Sequence, residues 1–183
     1  MKLFIPSLIV SFSVSMLTGT HVHAQTGKEP QIAFFERLST LCGARFEGES
    51  IFPEDPGDAF RDQLLVATIK VCEEQKLDIP FQVGEDHSRT WVLTQTANGL
   101  QLKHDHRHAD GTPDEVTLYG GTASEPGSHL SQSFPADAYT AELIPEAATN
   151  VWSITLSADG TQITYYLERH QKARFKAVLY RTN

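Results

Sequence analysis

The chain is poor in cysteine, methionine and tryptophan, with two of each among its 183 residues. Two cysteines are too few for a disulfide-dense scaffold or a four-cysteine zinc site. Cys42 and Cys72 also lack the C-x-x-C spacing of a redox pair, and an even number pairs readily where oxidation is permitted. A Cys42–Cys72 disulfide is therefore expected, and closing that loop is worth about 3–4 kcal/mol in the chain-entropy picture. Positive charge is in deficit as well: 15 Lys and Arg stand against 23 Asp and Glu, a formal net charge of −8. Such a balance argues against binding nucleic acid or an anionic membrane through charge alone. Long apolar runs are missing beyond residue 24, so no later segment is expected to span a bilayer. Repeats, low-complexity blocks and internal linkers are absent too, which leaves one domain of ordinary size.

The start of the chain has the form of a secretory signal. Met1 and Lys2 give a positive opening, Leu3 to Leu17 is apolar apart from Pro6 and four serines, and Val22-His23-Ala24 offers the small residues a signal peptidase reads. A spanning helix needs about 20 apolar residues, more than this run holds. Residues 1–24 are thus expected to be a cleaved signal peptide, 25–30 a polar tether and 31–183 the folded domain, periplasmic or secreted. Losing Lys2 and no acid moves the formal balance from −8 to −9.

Periodicity divides the rest. Phe34, Phe35, Leu38 and Leu41 recur at helical spacing, predicting one short amphipathic helix over 32–41 that Gly43 can end. Strands are expected at 44–52, 64–73, 77–83, 115–119, 131–134, 151–156, 161–168 and 174–180. Between them lie turn clusters such as Asp55-Pro56-Gly57-Asp58 and Ala158-Asp159-Gly160. The stretch 141–150 has a helical turn interrupted by Pro145. Tyr165 and Tyr166 are adjacent on a strand, so one should face the core and the other solvent.

The most explicit expectation is a hairpin over 89–108 turning at Asn98-Gly99, a two-residue pair that tolerates positive φ. That turn would set Leu93 opposite His104, Trp91 opposite His106 and Arg89 opposite His108. Leu100, Leu102, His104, His106 and His108 would then share one face with Trp91 and Leu93, and that face should point inward. About eight to ten antiparallel strands with a short N-terminal helix make the fold class mainly β, an antiparallel barrel.

A helix leading into a first strand through Leu41-Cys42-Gly43-Ala44-Arg45-Phe46-Glu47-Gly48, followed by hairpins, resembles the lipocalin-like (calycin) barrel in outline. The chain is also similar to a group of uncharacterised exported bacterial proteins. The shared features are Asp105-His106-Arg107-His108-Ala109-Asp110-Gly111, Tyr119-Gly120-Gly121, Phe134-Pro135-Ala136-Asp137 and Asn150-Val151-Trp152. The first resemblance implies a barrel; the second implies export and brings no activity with it.

One cluster is dense in ligand-type residues: Lys103-His104-Asp105-His106-Arg107-His108. H-x-H on a strand puts two imidazoles on one face, and carbonic anhydrases and cupins resemble this locally. His104 and His108 would sit about 13 Å apart along the strand, while zinc–nitrogen bonds are about 2.0–2.1 Å. A divalent metal such as zinc would therefore take His106 and His108 with Asp110, Asp137 or His129. The bland alternative is a hydrogen-bonded structural network. A third reading is a metal-free pocket for a small molecule at a barrel mouth lined by Arg89, Trp91, His104, His106 and His108. The serines lack nucleophile-elbow glycines, Gly120-Gly121 lacks a phosphate-loop pattern, and Arg169 to Arg174 reads as a solvated turn. Three functions remain open: a non-enzymatic ligand-binding barrel, a metal-dependent hydrolase or lyase, and a structural or interaction protein of the cell envelope.

Overall fold

The computed structural model describes residues 28–52 and 58–182. Residues 1–24, most of the expected tether, and Asp55-Pro56-Gly57 lie outside the described residues. Helix α1 spans Glu29–Ser39, with Pro30 in its first turn, where a missing N–H costs nothing. It thus takes in the last two residues of the expected tether. Phe34, Phe35 and Leu38 are buried, the helical stripe expected from their spacing.

Eleven strands follow among the described residues. They are β1 (Arg45–Phe52), β2 (Leu65–Thr68), β3 (Val71–Cys72), β4 (Lys76–Val83), β5 (Asp86–Thr96), β6 (Gly99–His106), β7 (Tyr119–Thr122), β8 (Ser131–Pro135), β9 (Asn150–Leu156), β10 (Gln162–Arg169) and β11 (Lys172–Thr182). A short helix α2 (Ala138–Leu143) and a 3-10 turn (Pro145–Ala147) separate β8 from β9. Pairing is antiparallel throughout, in the order β7-β6-β5-β4-β2-β1-β11-β10-β9-β8, with β3 also on β4. The sheet curls into a nearly closed barrel. Alternation drives the closure: every second residue of β4 and β9 is buried, so each strand offers one apolar face to a single interior.

The wall closes where β7 meets β8. There the Asp137 N–H donates to the Gly120 carbonyl at 2.9 Å, and the Gly120 N–H donates to the Thr140 hydroxyl at 2.7 Å. Asp137 caps α2 by accepting from the Thr140 N–H at 2.9 Å. A side chain on Gly121 would start 1.8 Å from the Pro135 carbonyl oxygen, so only glycine lets the two edges touch. The Tyr119-Gly120-Gly121 and Phe134-Pro135-Ala136-Asp137 segments are therefore the two lips of one seam.

Several boundaries differ from expectation for visible reasons. The expected strand 64–73 breaks at Ile69-Lys70. β2 pairs with Phe81–Val83 and β3 with Leu77 and Asp78, so Pro80, which has no N–H, faces the gap between them. The expected strand 115–119 begins only at Tyr119. Thr117 instead turns its hydroxyl to accept the His106 N–H at 2.7 Å, taking the place of a ladder partner.

The hairpin register also corrects the expectation. Thr96 faces Gly99, Leu93 faces Leu102, Trp91 faces His104 and Arg89 faces His106, so the turn is Ala97-Asn98. Gly99 is needed for a different purpose. It has φ +130, and a Cβ there would lie 2.8 Å from Oε1 of Gln31. That oxygen accepts the Leu100 N–H at 3.0 Å, docking α1 on the barrel end. The two-residue turn with positive φ at both positions falls elsewhere, at His170 and Gln171 between β10 and β11. Because the pairing moved by two residues rather than one, every side chain kept its face.

Cys42 and Cys72 form a disulfide with Cα atoms 6.2 Å apart. It joins the turn after α1 to β3, and it is compatible with an oxidising compartment. Among the described residues, no helix is long and apolar enough to cross a membrane.

Candidate functional site

Strand β6 runs from one end of the barrel to the other and changes character as it goes. Leu100 and Leu102 are buried beneath α1, His104 is 4% exposed, and His106 is half-buried. At the end away from α1, the interior opens into a cavity of about 260 Å³. Arg89, Trp91, His104 and His106 all line it. Facing them are Phe81 of β4, Tyr119 of β7, Trp152 of β9, Tyr165 and Leu167 of β10, and Arg174 and Phe175 of β11. Asp58 and Phe60, from the segment before β2, complete the rim.

The walls are aromatic and touch one another. Trp91 stacks between Phe81 and Tyr165, with centroids at 4.4 and 4.5 Å. Tyr165 meets Phe175 at 6.0 Å, and Phe175 meets Phe60 at 5.0 Å. On the other side, His104 stacks on Tyr119 at 4.7 Å and tilts against Trp152 at 5.2 Å. Contacts of this kind fix ring orientations and add stabilisation beyond the area they bury.

Polar groups fall into a deep pair and a rim pair. In the deep pair, Nδ1 of His104 lies 3.1 Å from the Tyr119 carbonyl and Nε2 lies 2.7 Å from the Tyr165 hydroxyl. A carbonyl only accepts, so Nδ1 carries the proton and Nε2 accepts from Tyr165. Burial pushes His104 down to about 3, against the pull of the Tyr119 carbonyl, and the ring stays neutral. Burial likewise raises Tyr165 well above the usual phenol value, with the nearby Tyr119 adding to it. Every N–H and O–H donor of the deep pair is thus engaged within the protein.

At the rim, Nε2 of His106 lies 3.0 Å from the Tyr119 hydroxyl. Among the described residues its other ring nitrogen has no hydrogen-bond partner. Burial lowers His106 below its ordinary value and Arg89 lowers it further, while Asp114, Asp86 and Asp105 pull the other way. Burial raises Tyr119 to about 12, so the phenol keeps its proton. Arg89 contacts Asp86 and places its guanidinium 5.5 Å from the Phe60 ring centroid. Burial opposes ionisation of Asp86, but hydrogen bonds from Ser88 and the Arg89 charge outweigh it and hold the group at about 2.

His108 lies elsewhere. β6 ends at His106, and His108 is exposed on the loop that follows, its N–H donating to the Thr112 carbonyl at 2.9 Å. The expected pairing of Arg89 with His108 is replaced by Arg89 with His106. The other expected metal ligands are dispersed too. Asp110 closes a local turn with Thr112, Asp137 holds Lys103 and caps α2, and His129 is exposed. No group of three His, Cys, Asp or Glu is placed to hold a metal ion among the described residues.

Sequence reasoning reached Arg89, Trp91, His104 and His106 through one strand pair, and it read Trp152 and Tyr165 only as meander residues. Arg174, expected in a solvated turn, stands at the opening. The missing information was long-range: which strand lies across the barrel. Alternation had already marked one of Tyr165 and Tyr166 as inward, and the inward one is Tyr165, 7% exposed. Comparison with family models, curated proteins and solved structures finds no match to this chain. The likeness to lipocalins therefore extends to the barrel outline alone.

Proposed function

We propose that this protein is an exported, non-enzymatic β-barrel that binds a small molecule in the aromatic cavity at its open end. One observation carries the reading: a partly open cavity of about 260 Å³, walled by rings whose faces are apolar and whose deep polar atoms are already bonded to each other. Cavities for drug-sized ligands run from about 300 to 1,000 Å³, so this one suits a compact body of one or two rings. Mouths of antiparallel barrels hold ligands in this way. Export is supported by the form of residues 1–24 and by a disulfide suited to an oxidising compartment.

Both tryptophans of the chain line the cavity, which makes intrinsic fluorescence a local reporter. Titrating the purified protein with indole, 2-naphthol and 2-naphthoate should give saturable changes in emission for at least one of them. Leu167→Trp, which fills the cavity, should weaken that binding by at least about tenfold while leaving far-UV circular dichroism unchanged. Unaltered binding in a folded Leu167→Trp protein would place the ligand somewhere else and end the cavity reading.

A further inference from the structure

We propose that the ligand is an anion: a compact aromatic or similarly apolar body with one carboxylate-type group, held at the mouth by Arg89 and His106. This rests on the cavity reading above and specifies the chemistry it selects. The orientation follows from which polar atoms are already engaged. Both nitrogens of His104 and the Tyr165 O–H are engaged in the depth of the cavity, so an acceptor group such as a carboxylate would find no donor there. A buried polar group without a partner is costly, and the ligand's apolar body must go in first.

The uncommitted donors lie at the rim. Arg89 offers five N–H groups, and its Asp86 and Ser88 contacts use Nη1 alone. The imidazolium form of His106 donates from both ring nitrogens, so its Nδ1, unpartnered among the described residues, is a second donor whichever way the bond to Tyr119 runs. Arg174 lines the same opening and adds a further positive charge.

The strongest rival is a cationic ligand, because stacked rings can cage an ammonium group. Here the Arg89 guanidinium already lies over Phe60, and a second cation would face both arginines. Among the described residues Asp58 is the one carboxylate in the lining, and its Oδ1 is occupied by the Phe60 N–H at 2.9 Å. The lining therefore favours negative charge.

A proton linkage follows. Among the described residues, the charged and titratable groups around His106 are Arg89 and Asp86 from β5, His104 and Asp105 from β6, Asp114 from the loop and Tyr119 from β7. Asp58 and Arg174 complete the lining. An incoming carboxylate adds a negative neighbour and favours the imidazolium, so binding takes up a proton. Affinity should rise as pH falls from 8 to 5.5, a range in which an aromatic carboxylate stays ionised.

The experiment is calorimetric titration of the purified protein with three probes built on one naphthalene body: 2-naphthoate, neutral 2-naphthamide and cationic 2-naphthylmethylammonium. Naphthoate should bind at least about tenfold more tightly than the amide, the worth of one charge-assisted hydrogen bond, and the ammonium most weakly. Arg89→Gln should erase the naphthoate advantage, and His106→Gln should flatten its pH dependence. Equal binding of amide and naphthoate, or preference for the ammonium, would overturn the anion proposal and leave the cavity reading standing. Failure of all three probes to bind would overturn both.

Discussion

The two ends of this barrel are built from the same strands and behave as opposites. Under α1, strand β6 presents Leu100 and Leu102 to a sealed interior, and Gln31 stitches helix to barrel through Leu100, Ala123 and Glu125. At the far end the same strand presents His104 and His106 to a cavity walled by rings. The contrast teaches that one continuous inward face can serve stability at one end and recognition at the other. The change occurs within two residues, between Leu102 and His104.

If that division is right, the largest loss of stability should come from the sealed end without touching the cavity. Phe34→Ala removes a fully buried ring from α1 and should cost about 3–5 kcal/mol in denaturant unfolding. Probe affinity, measured on the protein that remains folded, should not change. A parallel loss of binding would mean that the two ends are one cooperative unit.

The deep pair sits at the boundary and should give an intermediate effect. Tyr165→Phe leaves Nε2 of buried His104 without its donor and should cost about 1–3 kcal/mol. Removing both partners in His104→Phe/Tyr165→Phe should cost less than the two single changes added together. The double variant should also alter acid stability. His104 sits near 3 in the folded protein and about 6.5 in an unfolded chain. Its folded value is depressed, so its stabilising contribution is complete above about pH 6.5 and falls as pH drops toward 3. Between pH 7 and pH 5 the loss from this one ring is about 2 kcal/mol. Denaturant titrations at the two pH values should show wild type losing about that much more than the double variant.

The smallest effects belong outside the barrel. His108→Ala and Asp110→Asn change exposed loop residues, and each should leave the denaturant midpoint close to that of the wild type. Neither should change naphthoate affinity. A loss of binding in either would return the loop to the site.

Much of the fold was legible because the inward faces repeat with period two and the helix with period 3.6. The disulfide was readable from an even cysteine count. The turn was misread because Asn98-Gly99 carries a strong local signal, while the need for Gly99 comes from Gln31, far away in sequence. Conversely, His170 and Gln171 take positive φ, and Gln171 is not among the residues enriched there. The candidate site was half legible. One hairpin carries Arg89, Trp91, His104 and His106, and their shared face follows from alternation. Tyr119, Trp152, Tyr165 and Phe175 join them only because the barrel curls, a fact that no local pattern states.

The short turn between Thr96 and Gly99 separates what can vary in this hairpin from what cannot. Residues inserted at Ala97-Asn98 would lengthen a loop at the α1 end and leave every pair from Thr96–Gly99 to Arg89–His106 in place. A single residue inserted within β6 would instead send the side chains beyond it to the other face unless a bulge absorbed it. Lineages of such a barrel are therefore free to remodel the tip, while the cavity changes by exchange of the side chains that already face inward.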